Sequence, residues 1–385
     1  MNDAVDRTVP RERHDPVHQQ RLRTLATEVV VGLTTQSTRP ALILLIGSAA
    51  RGPVARSSDV DILVADHAPQ RGLLTEEWFF SPDGTAINVR RTDVQTLSRI
   101  SSAHDEEFAN FCVTTWLPDH LYGHEVLFVA PDDQSVAAVG LLAAIVDRRQ
   151  DPPNVRAMCA LLRQKAIDHI HQAIKHLEGD EPADAHAALR MVGGCLLEEE
   201  LVASTTVVRG SKKRPELLLL AVGCERHPVV DFVGAVTGFA SLDPSAAATL
   251  ASVRLQHRDR ARQVVTDLAT VLETHSMRRL ASAWSAHSRY ANDYYESLVA
   301  DGFWRGVVNH IRCHSGIPRF PAQFMEALCG SRKAPVSAFL ECGTLPRDFR
   351  SEWRWLSGTD IDMLHLQGWL ATAQGLIHRP PPGVR

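Results

Sequence analysis

The run Ala41-Leu42-Ile43-Leu44-Leu45-Ile46-Gly47-Ser48-Ala49-Ala50-Arg51, followed by Gly52-Pro53-Val54-Ala55-Arg56-Ser57-Ser58 and Asp59-Val60-Asp61-Ile62-Leu63-Val64, is the most informative part of the chain. Six aliphatic residues without a polar interruption, Ala41–Ile46, predict a strand buried on both faces. Gly47-Ser48 breaks it, and Ala49–Arg51 can start a short helix. Val60–Val64 predicts a second buried strand. Two aspartates interrupt its start, at positions i and i+2. Such positions share a face of a strand, so Asp59 and Asp61 present two carboxylates side by side while Val60 packs behind them.

Each of these residue types fits one chemistry. Adjacent carboxylates repel unless a cation sits between them. Mg²⁺ takes few protein carboxylates and completes its shell with substrate phosphate oxygens. Glycine lets the backbone approach a phosphate with no Cβ in the way. A hydroxyl at the start of a helix, here Ser48, can donate to an anion, and the first free N–H groups of the helix favour the same charge.

Outward from this segment, Leu22, Leu25, Val29 and Leu33 at helical spacing predict a helix from Val17 to Gln36. Residues 1–17, with Pro10 and Pro16, read as a loose arm. Downstream, Glu77–Phe80 and Thr85–Arg90 flank the turn Pro82-Asp83-Gly84 and predict a hairpin. Helical patterns follow over Asp93–Ile100 and Glu106–Trp116, then an apolar segment, Glu125–Val129. From Gln134 the periodicity is helical: Ala157–Leu177, Ala183–Ala203, Ala246–Leu272, Ala281–Ala300 and Phe303–Cys313. Breaks are expected at Gly179-Asp180, Gly210–Pro215 and Ser315–Pro321. The expected fold is therefore α+β at the N-terminus, a small mixed sheet with helices, followed by an all-α bundle. The expected divisions are 1–17, 18–132, 133–275 and a helical extension over 276–385.

Composition narrows the class. At 385 residues, 44% hydrophobic and 22% charged, the chain is that of an ordinary globular protein. A net charge of -4 argues against a duplex nucleic-acid binder. Seven scattered cysteines, without a CxxC pair or zinc spacing, read as reduced thiols and point to the cytoplasm. The polar start predicts no signal peptide, and no apolar run is long enough to span a bilayer.

The Gly-Ser turn, short helix and Asp-x-Asp strand together resemble the signature of the DNA polymerase β-type nucleotidyltransferase superfamily. The pairs Arg51-Gly52 and Ser58-Asp59 are similar to its small-molecule branch, the aminoglycoside and minimal nucleotidyltransferases. The signature covers about 20 residues, and the sheet-then-helices layout extends the likeness more weakly to about residue 275. The resemblance implies a metal-dependent enzyme, with Mg²⁺ or Mn²⁺ on Asp59 and Asp61. It would move NMP, by default AMP from ATP, to a hydroxyl of a small-molecule acceptor and release pyrophosphate. Gly47, Ser48, Arg51 and Ser58 would bind the NTP.

The sequence also departs from that pattern. The family places a third carboxylate on a later strand. The matching strand here, centred on Ile87-Asn88-Val89, carries Asn88, which can ligate weakly but cannot act as a base. A relocated base could come from the helical region, with Glu199 as first candidate and Glu198 second. Glu199 falls on the apolar stripe of its helix; the competing reading is an exposed acidic face paired with basic neighbours. Lys212 and Lys213 could meet the triphosphate or form a solvated basic turn. Rival functions are nucleotidylation of a protein or tRNA, and a non-catalytic nucleotide-binding protein.

Overall fold

The computed structural model describes residues 15–35, 40–52, 54, 58–69, 74–204, 213–285, 291–314, 316–330, 333–358 and 362–379. The chain divides into two compact units, one built mainly from Arg11–Leu161 and the other from Leu162–Leu201 and Gly210–Pro382. The first carries all the strands described; the second is helical. This is the α+β-then-helical architecture expected from the periodicity.

The first unit opens with α1 (Pro16–Thr34), β1 (Pro40–Ile46), α2 (Gly47–Arg51) and β2 (Val60–Asp66). There follow β3 (Thr75–Phe80), β4 (Ala86–Asp93), α3 (Val94–Ser102), α4 (Asp105–Thr115), α5 (Leu117–Leu121), β5 (Glu125–Val129) and α6 (Asp133–Gln150). α1 starts where Asp15 accepts from His18 N and Pro16 takes a first-turn position, the pairing of an acidic cap with a proline that has no N–H to lose. Asp93 and Asp132 cap α3 and α6 by accepting from Thr96 N and Ser135 N, without the proline.

The sheet has the order β3-β4-β2-β1-β5. β2 and β4 run parallel; every other pair is antiparallel. β1 is buried along its whole length, as its unbroken aliphatic sequence requires. Period-two alternation then sorts the side chains. Ile43, Leu45, Val60, Ile62, Val64, Ile87 and Val89 form one cluster with Leu22, Ala26, Val30 and Leu33 of α1. The intervening residues face the other side of the sheet. Among them are Leu42, Leu44 and Leu63, and also Asp61 and Asn88. α3 and α6 pack on each other and reach β4 and β1 respectively. α6, which follows the division expected at residue 132, packs in the unit that holds the sheet.

α7 (Pro152–Glu178) leads into the helical unit. It continues with α8 (Pro182–Ala203), α9 (Arg214–Val222), α10 (Pro228–Thr237), α11 (Pro244–Leu272), α12 (His275–Ser285) and α13 (Ala291–Ala300). α14 (Trp304–Asn309), a π-helical turn (His310–His314), α15 (Gly316–Cys329), α16 (Pro335–Glu341), α17 (Arg347–Ser357) and α18 (Met363–Ile377) complete it. Phe320, Phe324, Phe339, Phe349 and Trp353 make an aromatic core, with Phe339 and Trp353 rings 5.1 Å apart. Two buried arginines tie helix ends together. Arg190 donates to Val236 O at 3.2 Å and Gly358 O at 2.9 Å, and Arg312 donates to Leu356 O and Thr237 O. The carbonyls at the C-termini of α10 and α17, which have no partner within their own helices, are met this way.

The expected helical pattern over Ala281–Ala300 coincides with the end of α12 and with α13, and residues 286–290 lie outside the described residues. The break expected over Ser315–Pro321 is not found from Gly316 onward, because α15 runs through Pro321; Ser315 lies outside the described residues. Phe303–Cys313 changes from α to π winding at His310. No helix among the described residues is long and apolar enough to cross a membrane.

Candidate active site

Asp61 is the centre of the constellation. β2 and β4 are in parallel register with Asp61 opposite Asn88, and the Asn88 amide donates from Nδ2 to Asp61 Oδ1 at 3.3 Å. Asn88 is only 1% exposed. Its other amide atom, Oδ1, is shielded from solvent and accepts no hydrogen bond. The second oxygen of Asp61 lies against Gly47. A Cβ built on Gly47 would stand 2.6 Å from Asp61 Oδ2, and φ there is +72°. Both facts demand glycine: no side chain fits the space, and L residues rarely adopt that φ.

Asp59 sits just ahead of β2. The burial alternates through this stretch: Ser58, Val60 and Ile62 are buried, while Asp59 and Asp61 are partly exposed. The same alternation puts the two carboxylates on one side. Among the described residues the two carboxylates are oxygen donors of the kind a hard divalent cation takes, and the Asn88 amide turns its Nδ2 toward Asp61. Among the described residues no group of three or more His, Cys, Asp or Glu is gathered as a metal cage.

α1 holds the turn from behind. Gln19 donates to Ala49 O at 3.1 Å, Arg23 to Ala50 O at 2.8 Å, and the backbone N–H of Asp15 to Val54 O at 2.9 Å. Sequence reasoning identified α1 but not this role, because polar residues on a helix surface carry no mark of their partners. Ser48 is partly exposed on the first turn of α2. That helix has five residues and no side-chain cap, so its macrodipole is slight and the first turn contributes geometry rather than field. Ser58 is buried. Arg51 donates to Asp119 O at 3.2 Å and Tyr122 O at 2.9 Å, which ties α2 to the end of α5; in this arrangement its guanidinium is engaged with backbone.

The residues read from the helical region lie in the other unit. Glu199 is 2% exposed and pairs with Arg163 at 2.7 Å; burial pushes its pKa up and Arg163 pulls it back. Glu198 pairs with Arg214, with the same contest between burial and the arginine. An exposed acidic face is therefore corrected in one respect: the basic partners are there, the exposure is not. Lys213 lies over the ring of Phe303, Nζ 5.6 Å from its centre, and burial brings its pKa down to about 8. Lys212 lies outside the described residues.

One titrating group was missed. Glu216 on α9 is 2% exposed and accepts from the backbone N–H groups of Arg305 and Gly306 at the start of α14. Burial pushes its pKa up to about 7. It borders a cleft of about 1260 Å³ lined also by Leu220, Trp304 and Arg305. The sequence shows only Arg-Pro-Glu at a helix start, where an acidic residue is ordinary.

No family model matches the chain, and no curated protein matches it. Among solved structures, a nucleotidyltransferase-like protein from Exiguobacterium sibiricum 255-15 aligns at 13% identity with a TM-score of 0.32, over 56% of this chain. This chain spans about 65% of that structure's length.

Proposed function

We propose that the protein is a metal-dependent nucleotidyltransferase that transfers NMP, by default AMP from ATP, to a hydroxyl of a small-molecule acceptor. The observation that supports this most is the Asp61 carboxylate, fixed between the Asn88 amide and a glycine that admits no Cβ, with Asp59 two residues before it. A bound divalent cation, Mg²⁺ or Mn²⁺, would neutralise charge on the triphosphate and lower the pKa of the acceptor hydroxyl. Asp59 and Asp61 would hold it.

The rest is the work of the chain's own residues. Gly47 would present bare backbone to the phosphates, with Asp61 Oδ2 filling the space a Cβ would take, and Ser48 would offer a hydroxyl from the turn that α1 braces. Arg51, tied to Asp119 O and Tyr122 O, and Ser58 would also bind the NTP. The acceptor oxygen attacks the α-phosphorus in line; its bond to the pyrophosphate oxygen breaks, and the acceptor proton passes to a base. Holding the acceptor in line is the larger part of such catalysis. Glu199 is the first candidate for the base and Glu198 the second, since burial raises both. Lys213, and Lys212 beside it, would meet the leaving pyrophosphate.

Pyrophosphate release from Mg-ATP with a panel of hydroxyl and amino acceptors tests the reading. The wild type should release it with at least one acceptor class and Asp61→Asn should not. Release that survives Asp61→Asn at the wild-type rate would contradict the site. Glu199→Gln should slow a single turnover by about 10²- to 10⁴-fold, the usual contribution of a general base, while NTP binding stays unchanged. An unchanged rate in both Glu199→Gln and Glu198→Gln removes the helical base. The amide at position 88 favours one competing reading, a nucleotide-binding protein without turnover; ATP binding with no pyrophosphate release from any acceptor, protein and tRNA included, would establish it.

A further inference from the structure

Arg190 and Arg312 place two positive charges inside the helical unit, where they are 3% and 8% exposed. Arg190 bonds to backbone carbonyls and to His186, and Arg312 donates from Nε to Leu356 O at 3.3 Å and from Nη1 to Thr237 O. Among the described residues no carboxylate pairs with either. The acids of α17, Asp348 and Glu352, are taken up by Arg260. Burial holds the His186 pKa well down and pushes the Cys313 thiol up to about 11, so these two neighbours are neutral. Burial also brings Arg190 down to about 9 and Arg312 to about 10, which leaves both charged at neutral pH. The C-termini of α10 and α17 that they meet carry roughly half a negative charge each. That offsets part of the positive charge, and a buried charge left without a counter-charge is costly.

A pocket of about 340 Å³ reaches Arg312 and is lined also by Ser351, Arg354, Trp355 and Gly358. Arg312 comes to it from the π-helical turn His310–His314, a winding frequent at functional sites. Its guanidinium is closely held: a Cβ on Gly358, where φ is +62°, would stand 3.0 Å from the guanidinium carbon. Nη2 has no acceptor among the described residues. Arg354 is exposed and has no acidic partner among them, and the Trp355 side chain beside it is 48% exposed.

We propose that this pocket binds a small phosphomonoester, with its phosphate between Arg312 and Arg354 and its organic group against Trp355. A phosphate ester brings the charge that the buried arginines lack, about −1.5 to −2 near pH 7, and guanidinium forks fit its oxygens. At about 30 Å³ per water in the liquid, a pocket of this size holds more than the five heavy atoms of a bare phosphate. Every residue of the pocket belongs to the helical unit, and the proposal does not depend on nucleotidyl transfer.

Isothermal titration of the full chain with phenyl phosphate, in EDTA so that no cation bridges it to Asp59 and Asp61, is the test. Saturable binding of one equivalent to the wild type is expected. Arg354→Ala, with thermal unfolding like wild type, should bind about 10- to 100-fold more weakly, the effect of losing a hydrogen bond to a charged group. Arg354→Lys should recover part of that loss, since it keeps the charge and loses the fork. If Arg354→Ala does not fold, Arg354→Gln takes its place. Trp355→Ala should weaken phenyl phosphate and leave inorganic phosphate unchanged. No binding to the wild type at millimolar concentration overturns the proposal, as does equal affinity in the wild type and the folded Arg354 variant. Phenyl phosphate affinity unchanged in Trp355→Ala overturns the place given to the organic group.

Discussion

At the scale of single residues, Gly47 is the most constrained position in the site. Alanine there must place its Cβ 2.6 Å from Asp61 Oδ2 in a backbone of positive φ. Gly47→Ala should therefore cost stability on the order of 1–2 kcal/mol from the backbone alone, and should displace Asp61 so that ATP-dependent turnover falls further than stability does. Urea unfolding alongside initial rates checks both; a variant with wild-type turnover would show that Asp61 is not at the reaction centre. Gly47, Ser48, Asp59 and Asp61 were legible because their order combines two local rules, a glycine break after a buried strand and carboxylates at i and i+2. Asn88 was legible by alignment of strand centres. What could not be read was which amide atom faces Asp61, since that depends on register across a 27-residue separation. Arg51 enters as an NTP-binding residue only through the resemblance carried by Arg51-Gly52; its bonds go to Asp119 O and Tyr122 O in and just after α5, a helix too short to leave a periodic signal.

At the scale of elements, helices with long amphipathic stripes, such as α1, α7 and α11, were legible. α9, α10, α16, α17 and α18 were not marked individually. α10 buries Val229, Val230, Phe232, Val233 and Val236, so it has no polar face to mark its period. Pro321 reads as a helix breaker, yet α15 carries it. The bonds of Arg190 to Val236 O and Gly358 O join residues up to 168 positions apart, and nothing local announces them. Arg190→Ala should remove the arginine donor from Gly358 O and leave Val236 O only its contact with His186 Nε2 at 2.7 Å, and lower the stability of the helical unit by about 1–3 kcal/mol. Arg190→Lys should recover little, because an ammonium cannot span the two acceptors as a guanidinium fork does. Chemical denaturation followed by tryptophan fluorescence measures this. Wild-type stability in Arg190→Ala would show that these carbonyls are satisfied some other way.

For the whole molecule, the buried carboxyl of Glu216 gives stability a pH dependence with a definite sign. Its pKa is about 7 in the folded chain against an ordinary 4.5. A group raised on folding contributes stability in full below the lower value and loses it as pH rises through the upper. Unfolding midpoints should therefore fall between pH 5 and pH 8, with a contribution on the order of 3 kcal/mol from this group. Glu216→Gln should flatten that slope; an equal slope in wild type and variant would assign the pH dependence elsewhere. The central claim concerns the other unit, and binding tests it without needing the acceptor's identity. Isothermal titration of the α,β-methylene analogue of ATP should show Mg²⁺-dependent binding to the wild type. Asp61→Asn, folded as judged by its unfolding transition, should bind at least about tenfold more weakly, a difference of about 1.4 kcal/mol. Equal affinity in the two proteins, or no Mg²⁺-dependent binding to the wild type, would contradict the account.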